Sequence, residues 1–299
     1  MFLTTEMDFG LAMLRHVPLN ASAVVSPISV IFTLAMLQAG ARSNTKEQID
    51  ELITKGFSDE SITGYFSNLS NAILNGTDGV QTRMANDAFS LIINAIYFTA
   101  EWLDEFYRGY NSKAIFHSEE IRRETEFMND FEVHRQYAED DQVEVLSLPY
   151  KDVSYAFNIF LPKKRFGLES VRSMIDGTAI QKLLSKLEET FISVTIPKIK
   201  IETDFKLKEA LMNMGVTEIF SDNADLTGIS SKPALKISHA AHRAIIEVDE
   251  KGTTAAAATL FKVIPKMAAF KKPKKFVADH PFLFILTKHS NPLFMGQFV

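Results

Sequence analysis

Hydrophobic and polar positions follow a helical spacing early in the chain and a strand-like spacing later. Between Arg15 and Arg42 no residue carries a formal charge apart from a protonated His16. Within that stretch Ser26 stands as an N-cap, Pro27 at the first helical position and Gly40 beyond the end, which predicts a buried helix between them. Thr45 with Gln48 has the spacing of a capping box and predicts a helix ending near Gly56. Ser61 to Leu74 is amphipathic and closed by Gly76. Further on, alternation and β-branched content predict strands over Val143 to Leu161 and Phe191 to Glu202, with a helix from Thr203 to Met214 and a long strand from Leu235 to Val248. Phe276 to Val299 predicts two more buried strands around Ser290-Asn-Pro292. Helices first and strands later, without βαβ alternation, predict an α+β fold.

The uncharged stretch is long enough to span a bilayer. Asn20, Ser22, Ser26, Pro27, Ser29 and Gln38 interrupt it, so a buried helix is the better reading and no membrane partner is expected. A chain of 299 residues with 46% hydrophobic content can bury a large core, and one domain over 1–299 is expected. A net charge of -5 gives no electrostatic footprint for nucleic acid, and the six lysines between Lys262 and Lys275 read as a solvated loop. The chain has no cysteine, hence no disulfide and no thiol nucleophile. The opening residues carry acids and lack a basic region followed by an apolar one, so a cytoplasmic setting is the default expectation. Sequons at Asn20, Asn68 and Asn75 matter only in a secreted chain.

Several polar residues interrupt apolar segments and need partners if buried: Ser26 at a helix start, Asn94 within Leu91 to Phe98, and His242 within Ile237 to Ile246. The pair His239 and His242 has no HExxH-type acid beside it, so a core strand explains both rings better than a metal does. No GxSxG elbow, phosphate-cradling glycine loop or dinucleotide fingerprint occurs, and neither a cofactor nor catalysis is expected.

The most informative segment is Glu250-Lys-Gly-Thr-Thr-Ala-Ala-Ala-Ala-Thr259, which leads from a strand-like run, Ala244 to Val248, into the basic and apolar peptide Leu260 to Met267. Gly252, Thr253 and Thr254 are poor helix starters, and the small residues Ala255 to Ala258 suit a strand that must slip between two others. This segment resembles the hinge and reactive-centre loop of a serpin, a serine protease inhibitor. Val25-Ser-Pro-Ile-Ser29, Gln38 to Thr45, Asn94-Ala-Ile-Tyr-Phe98 with Trp102, Phe220 to Leu226, and Pro292-Leu-Phe-Met-Gly296 resemble serpin motifs in the same order.

The resemblance implies the metastable serpin fold: a large mixed sheet, further strands in smaller sheets, helices clustered at one end, and an exposed reactive-centre loop over about 250–275. It implies a hinge at Gly252, Thr253, Thr254, Ala255, Ala256, Ala257 and Ala258. It also implies a hydrogen-bonded shutter of Ser26, Asn94 and His242, and a breach formed by Trp102, Lys198 and Glu250, where the loop first enters the sheet. Family spacing counted from Glu250 places the reactive bond between Lys266 and Met267. A lysine there suits an S1 pocket holding a buried carboxylate, so the expected partner is a trypsin-like serine protease, engaged by a monomer. Recognition at Met267 or Phe270 would instead favour a chymotrypsin-like or cathepsin-like protease. Many serpins are extracellular, which is the alternative to a cytoplasmic setting.

In one place this chain departs from the family pattern. After Val80 to Phe89 it runs directly into Leu91 to Phe98, whereas serpins have two helices and an edge strand between the equivalent pieces. Asn86 to Ser90 offers no Gly or Pro for a reversal, so the two pieces are expected to form one continuous strand or a strained hybrid. The large sheet is then expected to lose an edge and the helix covering its face, as in an alternatively spliced or mispredicted gene product. The alternative to an inhibitor is a non-inhibitory serpin-like substrate or binding protein.

Overall fold

A computed structural model describes residues 2–54, 59–74, 81–87, 91–120, 122–232, 234–253 and 272–299. The chain opens with α1 (Phe2–Arg15), β1 (Ala23–Val25), α2 (Pro27–Gly40), α3 (Ser43–Ile53) and α4 (Asp59–Leu74). Strands β2 (Gln81–Asp87), β3 (Leu91–Glu101), β4 (Ser112–His117), β5 (Arg122–Glu139), β6 (Val143–Pro149) and β7 (Tyr155–Pro162) follow. Next come α5 (Leu168–Met174), α6 (Gly177–Ser185), β8 (Glu188–Pro197), β9 (Ile199–Phe205) and α7 (Leu207–Asn213). The chain then runs through β10 (His239–Asp249), β11 (Gly252–Thr253), β12 (Lys274–Val277), β13 (Phe282–Lys288) and β14 (Asn291–Phe298).

Two sheets result. A nine-stranded sheet runs β1-β14-β13-β7-β6-β5-β8-β12, with β4 paired to β5. A five-stranded sheet runs β2-β3-β11-β10-β9. Every residue of β13 and β14 is buried, as their nearly unbroken apolar runs require of strands covered on both faces. Helix α2 is apolar on almost every side and is accordingly buried along most of its length, with Pro27 at its first turn. Gly10 lets α1 approach closely: a Cβ there would fall 2.2 Å from Met295 Sδ and 2.5 Å from Pro27 Cγ.

The predicted early helices, the strands over 143–161 and 191–202, and the terminal strand pair are all present. Several expectations need correction. Thr45 and Gln48 do not form a capping box. Helix α3 starts earlier, and Thr45 Oγ1 instead accepts from Asp225 N–H (2.9 Å) while Gln48 Oε1 accepts from the N–H groups of Thr217 and Glu218 (2.9 Å each). Both side chains therefore serve a segment far away in sequence. Strand β9 continues through Phe205 because Thr203 to Phe205 pair with Ala244 to His242 of β10, so the helix begins only at Leu207.

The pieces around residues 86–92 are not a continuous strand. They form a hairpin: β2 runs antiparallel to β3, with Gln81 opposite Thr99 and Asp87 opposite Ile93. A reversal between antiparallel strands needs only a few residues, and pairing lets β3 satisfy backbone groups on both edges. Strand β2 is the edge of the five-stranded sheet among the described residues.

Candidate functional site

The site lies where the five-stranded sheet opens. At one end β3 and β10 are direct parallel neighbours, from Leu91 opposite His239 to Ile96 opposite Ala244. At the other end they part. After β10 the chain turns at Glu250 and Lys251, the turn being held by Lys251 N–H donating to Asp249 Oδ1 (2.9 Å), and returns as β11 between them. Gly252 faces Asp249 on one side and Glu101 on the other, and Thr253 faces Val248 and Ala100. Gly252 has φ 147, and a Cβ there would come within 2.0 Å of Ala100 O, so glycine is required by both conformation and space. Thr253 is fully buried and shares a 2.7 Å hydrogen bond with the Tyr150 hydroxyl. Of the predicted hinge, Gly252 and Thr253 thus lie within the sheet, whereas Thr254 to Ala258 lie outside the described residues, as do Lys266, Met267 and Phe270.

Trp102, Lys198 and Glu250 come together beside this opening. Trp102 is buried, stacks on Tyr150 at 4.4 Å, donates its indole N–H to Asp249 O (2.9 Å) and donates its backbone N–H to Lys251 O (2.8 Å). Lys198 Nζ lies 2.8 Å from Glu250 Oε1 and 2.8 Å from Glu126 Oε1. Asn111 donates to both carboxylates, and Arg108 reaches Glu250 at 3.6 Å. Burial would raise the Glu250 carboxyl, but hydrogen bonds, chiefly from Lys198, outweigh it and hold the group below its ordinary value. Burial likewise works against the charge on Lys198, and its two carboxylate partners reverse the effect and raise it. Glu250 is buried, so the pair is more than the exposed surface contact its sequence positions suggested. Asn111, Arg108, Glu126 and Tyr150 were not legible as site residues, because each sits in a segment with no motif and reaches the site only through the tertiary fold.

Ser26 and His242 also meet. The Ser26 backbone N–H donates to His242 Nε2 at 2.9 Å, so that ring nitrogen carries no proton. The contact is made by the main chain. Ser26 occupies the N-cap of α2 without a side-chain cap bond, and its buried hydroxyl has no partner among the described residues. Burial drives the His242 imidazole from its ordinary 6.5 down to about 3, which keeps it neutral. Asn94 lies opposite His242 in the β3–β10 register, which brings the three predicted residues into one neighbourhood at the level of the backbone. His239 is exposed and His242 buried, on opposite faces of β10, which removes their shared-metal reading. No group of three metal-binding side chains occurs among the described residues.

The family profile described as serpin (serine protease inhibitor) matches this chain in two segments, residues 4–91 and 90–299. The chain belongs to the serpin family. Iripin-2 of Ixodes ricinus is 36% identical over 215 residues, 71% of this chain and 54% of that protein. Intracellular coagulation inhibitor 2 of Tachypleus tridentatus is 34% identical over 212 residues, 69% of this chain and 51% of that protein. The chain thus spans about half the length of the curated relatives it matches. Among solved structures, the native state of the thermophilic serpin tengpin superposes with a TM-score of 0.88 at 22% identity, covering 99% of this chain and 93% of that one, which establishes the fold.

Proposed function

We propose that this chain inhibits serine proteases as a suicide substrate, with trypsin-like enzymes as its targets and no catalytic activity of its own. The reading rests on one observation: Gly252 and Thr253 already occupy a slot between β3 and β10, in line with the strand that the following residues would extend. In this scheme the target's serine attacks the Lys266 carbonyl carbon, the bond to Met267 breaks, and the freed Met267 amine takes up a proton. The hinge from Gly252 to Ala258 then follows Thr253 down the slot, separating β3 from β10 and carrying the acylated protease with it. New main-chain pairing on both edges and burial of small side chains supply the driving force. Serpin loop insertion is one case of strand addition coupled to strain release. Ser26, Asn94 and His242 would lie where β3 and β10 must separate, and Trp102, Lys198 and Glu250 where insertion starts. The chain would act as one domain and as a monomer, in an intracellular setting suggested by the name of the Tachypleus relative.

A second reading, a cleavable but non-inhibitory protein, is favoured by the junction near residue 90, where the two matched segments meet. Incubation with trypsin separates the two. A denaturant-resistant covalent complex is the expected result; clean cleavage after Lys266 with no complex would overturn inhibition in favour of the second reading.

A further inference from the structure

Beside the opening of the sheet lies a built aromatic surface. Tyr107, Tyr110 and Phe131 are 49%, 41% and 46% exposed, yet they pack edge to face in series, with ring centroids 5.1 Å and 5.4 Å apart. Isolated exposed aromatics are ordinary; a contiguous set held in place by buried polar groups is not. Two residues of β5, Phe131 and Glu132, stand opposite Ser193 alone in β8, so the regular pairing breaks between Asp130 and Val133. Glu132 adopts a left-handed φ of 55 at this bulge, where strict alternation would have turned one of the two residues inward. Beneath it, buried Arg135 pairs with Asp130 on one side (2.5 Å) and Asp104 on the other (2.7 Å), tying the bulge to the segment that carries Tyr107. Asn129 holds the main chain that carries the remaining ring, donating its side-chain amide to the Tyr110 carbonyl oxygen at 2.7 Å.

The surface sits between the two points where residues 254–271 leave and rejoin the described chain. On one side, Arg108, next to Tyr107, contacts Glu250, two residues before Gly252. On the other, Ser193, which accepts from the Glu132 N–H at 3.2 Å, is also the β8 partner of Lys275 in β12. A protein that seizes the intervening 18-residue span is tethered to these two points, with the aromatic surface within its reach. We propose that Tyr107, Tyr110 and Phe131 form an accessory docking surface for the body of a trypsin-like protease engaged at the loop, through an apolar patch outside its active-site cleft. This inference rests on the protease-target reading above and names a second contact for the same partner. Tyrosine-rich clusters of this size carry much of the energy at many interfaces because they bury large area with little loss of side-chain entropy.

The test replaces all three rings in the full chain (Tyr107→Ala, Tyr110→Ala, Phe131→Ala) and, separately, Tyr110→Ser alone, with melting temperatures as the check on folding. The second-order rate of attack by trypsin on the loop is expected to fall about tenfold in the triple variant and less in the single one. The ratio of complex to cleaved product, set after attack, is expected to stay unchanged. A rate within twofold of the parent in a folded triple variant overturns the docking surface. If the parent is only cleaved, the inhibitor reading falls while the cleavage rate still reports on the surface. If trypsin does not attack the loop at all, both fall.

Discussion

Two buried titratable side chains, Glu6 and His242, give the protein a pH dependence of opposite sign on its two flanks. Neither carboxylate oxygen of Glu6 has a hydrogen-bond partner among the described residues. Burial pushes its carboxyl from an ordinary 4.5 up to about 8, with the neighbouring Tyr65 hydroxyl offsetting only part of the effect. The folded state therefore keeps the Glu6 proton that the unfolded chain releases, and stability falls as pH rises from 4.5 to about 8. His242 behaves in the reverse sense. The unfolded chain takes up a proton below 6.5 that the folded ring refuses until about 3, so stability falls as pH drops through that window. The two slopes oppose each other between 4.5 and 6.5, leaving a maximum there from this pair. Denaturant titrations are expected to show Glu6→Gln flattening the decline between pH 6.5 and 8, and His242→Gln flattening the decline below pH 4.5. Unchanged limbs in both variants would contradict the assignment.

At the scale of the elements, β11 is two residues long, yet it decides how the five-stranded sheet is used. Thr253 is fully buried against the Tyr150 hydroxyl, so its side chain must stay small and neutral. Thr253→Arg would have to bury a guanidinium where the parent side chain is fully buried against the Tyr150 hydroxyl, at a cost of several kcal/mol. The expected outcome is expulsion of β11 and a fall of at least about tenfold in the ratio of covalent complex to cleaved product on reaction with trypsin. A ratio equal to the parent's would show that insertion does not begin at Thr253. The small residues of this segment were readable in the sequence because strand insertion constrains side-chain size. The β2–β3 hairpin was not, because residues 86–90 carry none of the Gly or Pro that usually advertise a reversal, and the pairing that rewards the turn is made by residues on either side of it. Strand β5 was also missed: its polar, charged outer positions and its bulge at Phe131 and Glu132 disrupt the alternation by which strands are recognised.

The molecule as a whole holds its slot open with only two residues inserted. Extending β11 past the residues where β3 and β10 now pair exchanges their single ladder for two. The net gain is one ladder, whose bonds contribute on the order of 1 kcal/mol each, less the entropy of ordering the inserted residues. In a chain of this size each kcal/mol raises the melting temperature by about 2 °C. Nicking the loop with protease is therefore expected to raise the melting temperature by on the order of 10 °C, read by calorimetry on intact and cut protein. An unchanged or lowered value would mean that the five-stranded sheet, with β2 as its described edge, does not accept the strand.

Sequence alone determined the early helices, several of the later strands, the family, and three of the residues beside the opening, Trp102, Lys198 and Glu250, since periodicity, small side chains and short motifs are local properties. Tertiary structure decided the rest. It showed that Thr45 and Gln48 brace a distant loop, that Ser26 meets His242 through its backbone, that Glu250 is buried among Lys198, Asn111 and Arg108, and that β2 doubles back on β3. Each of these depends on which distant groups satisfy a buried donor, acceptor or charge, and no local pattern records that choice.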